Sequence, residues 1–233
     1  MNIFKFQSAF TLAETLITIG IIGVVAAMTI PNLVAKYQKE QTVVKLKKAI
    51  STLNQAYKLS YDEVGEPEAD QLQITSTEYF NTYWAPYIKV SHFCDYSNLC
   101  GYDKITPWTN ANGTKNRWYV VEPRLRTSFI TLDGITVVSL FSTWADDDNN
   151  KGEKKKNVYE TIVDINGREK PNKLGHDVFF LTRVTENGGG IRPYGFEKSN
   201  NEINKNCSKT GTGEYCAEKI RRAGWKVEKD YPW

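Results

Sequence analysis

Two histidines and four cysteines among 233 residues leave little material for side-chain chemistry. A Ser-His-Asp or Cys-His arrangement would have to use His92 or His176, and neither stands in a nucleophile motif. A phosphate cradle is lacking too, because the glycine-rich "ENGGGIRP" (186–193) is polar and does not join a strand to a helix. Enzymatic activity is therefore not expected. Nor is there an excess of charge of one sign: 30 basic and 27 acidic residues leave a formal +3, and the basic residues are scattered rather than striped. Nucleic acid is not an expected partner. No internal repeat or low-complexity segment is present.

The cysteines fall in two close pairs, Cys94 with Cys100 and Cys207 with Cys216, five and eight residues apart counted between them. Zinc knuckles use a two-residue gap and further ligands, which two histidines scarcely supply. Of the three possible pairings, two short disulfide loops are the simplest, and oxidised cysteines imply export from a reducing compartment.

What the chain does have is apolar mass, 40% hydrophobic and 12% aromatic residues, enough to fold most of it. It also has one long apolar run. From Phe10 to Ala35 there is no Lys, Arg or Asp and one acidic residue, Glu14. About 26 residues at ~1.5 Å each make roughly 39 Å of helix, more than the roughly 30 Å hydrocarbon core of a bilayer. A cleaved secretory signal has a shorter apolar core and a stronger basic region than Lys5 and the amino terminus provide. The helix is expected to be kept. Its orientation draws opposite signals: Lys36, Lys39, Lys45, Lys47 and Lys48 follow the run and by charge alone would put that side in the cytoplasm, whereas the cysteines put it outside. The cysteine reading is adopted.

Glu14 needs explaining, because a carboxylate in a membrane span is costly and by default has a partner. No Lys, Arg or His of the same helix lies within a turn or two on the apolar side, so the partner is expected from elsewhere; snorkelling to the headgroups is the alternative.

The stretch "AFTLAETLITIGIIGVVAAMTIPNL" (9–33) closely resembles the amino-terminal cleavage and methylation motif of type IV prepilins and type II secretion pseudopilins. A small residue, Phe, Thr, Leu, any residue and Glu before some twenty apolar residues is a specific combination. The resemblance implies a leader from Met1 to Ala9, removed between Ala9 and Phe10; methylation of the new Phe10 amine; and Glu14 at the fifth mature position, neutralising the Phe10 amine of a neighbouring subunit and setting axial register. Pro31 falls at the twenty-second mature position, where the family carries a helix-distorting proline. Ala9 departs from the pattern, since the family usually has Gly before the cut, but Ala fits a narrow subsite.

Beyond Pro31, Val43, Leu46, Ile50, Leu53 and Tyr57 recur at helical spacing among Lys and Gln, which predicts one helix over roughly 12 to 60 with an apolar stripe in its second half. Pro31 is expected to kink or locally melt it. Gly20 and Gly23 are either a close-approach surface or lipid-facing glycines. "DEVGEPEAD" (62–70) ends the helix, and 77–90 predicts a short helix packed under the domain by its aromatics. "CDYSNLC" and "TPWTNANGTKN" are expected at the surface. "SFITLDGITVVSLF" predicts a hairpin with a two-residue connection at Asp133-Gly134. The charged stretch 145–156, with Asp146, Asp147 and Asp148, reads as a solvated turn rather than a calcium loop. "VYETIVDINGREKPNKLGHDVFFLTRV" predicts a strand, a turn at Asn166-Gly167, an excursion and a second strand, and a short helix is expected around 214–223.

This carboxyl-side region also resembles the sheet of pseudopilins, some of which bind calcium there, so Asp164, Asn166 and Asp177 are weak candidates for oxygen ligands; turn-stabilising hydrogen bonds are the commoner use of such residues. No other cofactor is implied. The cysteine-closed tail is similar to the carboxyl-terminal region of pilins.

The expected fold is α+β and pilin-like, a long amino-terminal helix on a small antiparallel-sheet head: leader 1–9, membrane-spanning helix half 10–35, amphipathic half 36–61 and head 62–233. The resemblance implies a structural subunit, pilin or pseudopilin, of a bacterial filament. Its partners would be other subunits, the prepilin peptidase and methyltransferase, an inner-membrane assembly platform and lipid, and its head would face out of the cytoplasm before incorporation into a periplasmic or surface filament. The motif is common to surface pili and to secretion and DNA-uptake pseudopili, and to major and minor subunits. The alternative is an anchored extracytoplasmic binding or adhesin module that never polymerises, which has no use for Glu14 or a leader site.

Overall fold

The computed structural model describes residues 11–65, 76–122, 126–144, 156–184 and 189–233. It divides into two units, Met1–Gln41 and Thr42–Trp233, and helix α1 (Leu12–Val64) supplies residues to both. The architecture is α+β, a long amino-terminal helix and a six-stranded antiparallel sheet.

In the first unit no described residue is buried, and large apolar side chains from Leu12 to Val34 stand exposed along α1. The helix is long and apolar enough to cross a membrane. Its polar side chains are turned back onto their own helix: Thr15 Oγ1 donates to the Thr11 carbonyl (3.1 Å), Thr18 Oγ1 to Glu14 (2.6 Å) and Thr29 Oγ1 to Val25 (2.9 Å). Such back-bonding is how hydroxyls are tolerated where no water can satisfy them. α1 runs through Pro31 without interruption, so the local melting expected there does not occur. Proline removes one N–H from the ladder, and the flanking turns hold the helix together.

In the second unit α1 buries Val43, Leu46, Ala49, Leu53, Ala56, Tyr57 and Ser60. The stripe is centred one position from the expected one, with Ala49 fully inside and Ile50 at its border.

The strands are β1 (Val90–Cys94), β2 (Arg126–Thr131), β3 (Thr136–Trp144), β4 (Lys156–Asp164), β5 (Val178–Val184) and β6 (Gly190–Pro193), paired in sequence order and antiparallel throughout. Inside the hydrogen-bonded Thr131–Ile135 pair the β2–β3 turn has three residues, Leu132 to Gly134, not two: the Thr131 amide donates to the Ile135 carbonyl (2.9 Å), the Gly134 amide returns to the Thr131 carbonyl (3.0 Å), and Gly134 takes φ +81°. Adding Leu132 to the loop places the positive φ at its third position, where glycine has no steric cost.

Successive strand residues enter different cores. Phe129, Val137, Val163, Phe179 and Leu181 face α1, α2 (Ser76–Tyr83) and α4 (Cys216–Arg222), while Val138, Ile162, Val178 and Phe180 face the loop layer between Cys100 and Val121. That layer corrects an expectation. "TPWTNANGTKN" is not simply surface, because Trp108 is 1% exposed and Asn116 is buried. Thr109 is stitched to the 172–174 segment by Thr109 N to Asn172 O and Leu174 N to Thr109 O, both 2.9 Å. The expected helix over 77–90 is also shorter, ending at Tyr83 and giving way to β1. A further helix, α3 (Asn200–Asn206), starts at a capping box between Ser199 and Glu202.

Strand β6 lies at a sheet edge, where unpaired backbone groups invite foreign strands. Asn54 of α1 covers it: Ile191 N donates to Asn54 Oδ1 (2.8 Å) and Asn54 Nδ2 donates to Ile191 O (2.9 Å). The glycines where β6 begins make room for this. A Cβ on Gly190 would lie 2.8 Å from Asn54 Oδ1, and one on Gly189 would overlap the Tyr57 hydroxyl. Gly189 and Gly190 of "ENGGGIRP" thus serve helix–sheet approach.

Candidate functional site

Three groups of residues were singled out by the sequence: the amino-terminal motif, the cysteines, and the carboxylates around Asp164. Ala9 and Phe10 lie outside the described residues, as do the remainder of the leader and Asp146, Asp147 and Asp148.

Glu14 occupies the first turn of α1. It has a same-chain partner that the sequence reading missed. The Thr11 amide and hydroxyl both donate to Glu14 Oε2 at 2.8 Å, and the Glu14 amide donates to Thr11 Oγ1 at 3.2 Å. This is a capping box, in which residue and cap satisfy each other's otherwise orphaned N–H groups and the carboxylate meets the positive end of the helix dipole. Its signature, Thr11-Leu12-Ala13-Glu14, was there to be read. Only Oε2 is engaged; among the described residues nothing donates to Oε1, which leaves one oxygen for a second partner. A Cβ added at Gly20 or Gly23 would meet nothing within 4 Å, so that face of the helix is open.

The cysteines meet in the two short-loop pairs, Cys94–Cys100 and Cys207–Cys216, and no free thiol remains. The first ties the end of β1 to the turn at Leu99–Gly101, and the second ties the end of α3 to the start of α4. The tail docks beside them: Tyr231 is buried with its hydroxyl donating to the Gly175 carbonyl (2.6 Å), and the Trp233 ring stacks on His176 with centroids 4.3 Å apart.

Asp164, at the end of β4, is fully buried and its Oδ2 accepts from the Tyr102 hydroxyl (2.7 Å) and the Trp108 indole N–H (3.1 Å). Neutral donors, not a cation, hold it. Burial, then the nearby Asp177 charge, push the Asp164 carboxyl well above the usual carboxylate range. Burial also raises Asp177, although the amides of Lys173 (2.7 Å) and Asn172 (2.8 Å) donate to its two oxygens and oppose the shift. Burial, then Asp164, push the Tyr102 phenol up. The structure therefore brings Asp164, Asn166 and Asp177 together, with Asn166 helping to hold Asp177. Calcium takes six to eight oxygens, and here the Asp177 oxygens and Asp164 Oδ2 already accept protein hydrogen bonds. Among the buried amide oxygens, Asn166 Oδ1 and Asn172 Oδ1 have no donor. Among the described residues no three acidic, histidine or cysteine side chains are grouped to hold a metal. The arrangement fits an anchor that ties the loop layer to β4 better than an ion shell.

No protein-family model, no curated protein and no solved structure matches the chain.

Proposed function

We propose that the chain is a structural subunit of a type IV pilus or type II secretion-type filament. The observation that carries this reading is an exposed apolar helix, long enough to cross a membrane, whose first turn holds a carboxylate with one oxygen unengaged among the described residues. The capping box serves an anchor and a subunit alike, whereas a further partner for the second oxygen is of use to a subunit that stacks its helix beside others.

In this reading the leader is removed between Ala9 and Phe10 and the new amine is methylated. The capping box fixes the Glu14 carboxylate while Oε1 meets the Phe10 amine of a neighbouring subunit. In a medium of low dielectric that attraction is far stronger than in water and either ion alone is costly, so the pair sets the axial position of one helix against the next. The disulfide-closed α+β head faces out of the cytoplasm and is carried on the filament surface. The resemblance of residues 9–33 to the prepilin motif and the pilin-like order of long helix then antiparallel sheet support it.

Mass spectrometry of the mature amino terminus tests this directly. N-methyl-Phe10 is expected; an intact Met1 would overturn the reading. Ala9 replaced by a bulky residue should leave an uncut precursor on an immunoblot. Glu14→Gln should be membrane-inserted and folded yet fail to assemble, and normal filaments from it would overturn the pairing of Glu14 with the Phe10 amine.

A further inference from the structure

A groove of about 210 Å³ opens on the head where α1, β6 and α4 meet. Ile50, Pro193, Phe196 and Trp225 form its apolar walls, with Arg192 and Arg221 among its lining. The cations are in excess. The Arg192 guanidinium lies 5.6 Å from the Phe196 ring centre, and the Lys47 ammonium 5.7 Å from that of Trp225. Among the described residues neither forms an ion pair. Arg221 does have an acid, the fully buried Glu218, but shares it with Arg222: Glu218 takes Arg221 at 2.7 Å and Arg222 at 2.6 Å. One carboxylate for two guanidiniums leaves positive charge over. Aromatic walls under unneutralised cations fit a segment that carries carboxylates beside apolar side chains.

The same chain displays such a segment. At the end of α1 the exposed Tyr61 and Val64 flank the exposed Asp62 and Glu63, and from Asp62 to Asp70 the sequence has five acidic residues and no basic one. It cannot reach the groove of its own molecule. Ile50 and Asp62 belong to one continuous helix, so they are held about 18 Å apart along its axis. We propose that the groove takes the acidic end of α1, Tyr61 to Val64, from a second copy of the chain. Donor and acceptor surfaces differ, so the contact is heterologous and can repeat without closing, each copy displaced along the helix direction from the last. The supply of aligned copies rests on the filament reading; the complementarity of the two surfaces does not.

Photo-crosslinking of the full chain in its membrane tests the proposal, with p-benzoylphenylalanine in place of Phe196. A covalent dimer is expected, its adduct mapping by mass spectrometry to residues 61–64. The Lys47→Glu and Arg192→Glu pair should lower the dimer yield about tenfold, the effect of two exposed ion pairs. Adding Asp62→Lys and Glu63→Lys should restore it. All four side chains are exposed, so the head should fold in every variant. Adducts that map elsewhere on a second copy, adducts with lipid or another protein alone, or a yield indifferent to charge reversal would each overturn the proposal. Filaments with N-methyl-Phe10 but no such adduct would leave the filament reading standing and remove this contact; the adduct with an unprocessed amino terminus would do the reverse.

Discussion

The two units of the chain treat apolar side chains in opposite ways. In the first, Ile22 and its neighbours on α1 stand open, and the hydroxyls are the groups that are satisfied, each against its own helix. In the second, the same helix puts Leu46 and Leu53 against the sheet, and polar groups are satisfied across long sequence separations, as Asn54 is by Ile191. The difference teaches where each unit finds its complement. The second contains its own; the first presents an apolar surface with no complement among the described residues.

Six substitutions sharpen or break this contrast, read as thermal or denaturant unfolding of the full chain in detergent. Leu46→Ala removes a fully buried side chain and should cost about 2–5 kcal/mol, whereas Ile22→Ala, equally apolar but 61% exposed, should leave head stability within about 0.5 kcal/mol. Equal effects would dissolve the distinction. Asp164→Ala strands the buried Tyr102 hydroxyl and Trp108 indole and should cost about 2–4 kcal/mol. Asp164→Asn keeps an acceptor and should cost less. It should also change the pH profile. The folded-state pKa of Asp164 is raised, so its protonated form contributes full stability below the unfolded carboxyl range, and that contribution is lost as pH rises toward the folded value. Relative to Asp164→Asn, the natural chain should weaken as pH rises through that window. Calcium should produce no binding heat in calorimetry; a stoichiometric heat abolished by Asp164→Asn would instead recruit Asn166 and Asn172 into a shell.

Asn54→Leu exposes the β6 edge and should cost about 1–3 kcal/mol by leaving the Ile191 amide and carbonyl unpaired. Ser60→Ala should have the smallest effect and the opposite sign, a gain of about 0.5–1 kcal/mol, because the buried Ser60 hydroxyl has no partner to lose. A loss there would reveal a partner, perturbing the contrast at its weakest point.

Much of this was legible in the chain because periodicity is local. The stripe from Val43 to Tyr57, the β2–β3 hairpin and the pair β4 and β5 all announce themselves by spacing. The cysteine pairs were legible by proximity. What escaped depends on layers. Trp108 sits among turn residues, and only its position under the second face of the sheet buries it. A trace of that layer existed in Val178 to Leu181, an unbroken apolar run that alternation with solvent would not produce. The Thr11–Glu14 and Ser199–Glu202 capping boxes were legible in principle, since each is a four-residue pattern; at Glu14, attention to a cationic partner hid a neutral one. Asn54 could not be read from sequence at all, because its partner lies 137 residues away.

That side chain has a mechanical consequence. Asn54 engages both backbone groups of one residue on β6, so within the head α1 is fastened to the sheet much as a neighbouring strand would be. Tension arriving along the helix is then delivered in part to the backbone of β6, and through its pairing with β5 to the sheet. Side-chain packing alone would let the helix slide by exchanging one apolar neighbour for another. Two directional bonds at one residue give it a detent, a fixed notch from which it must be pulled before it can move.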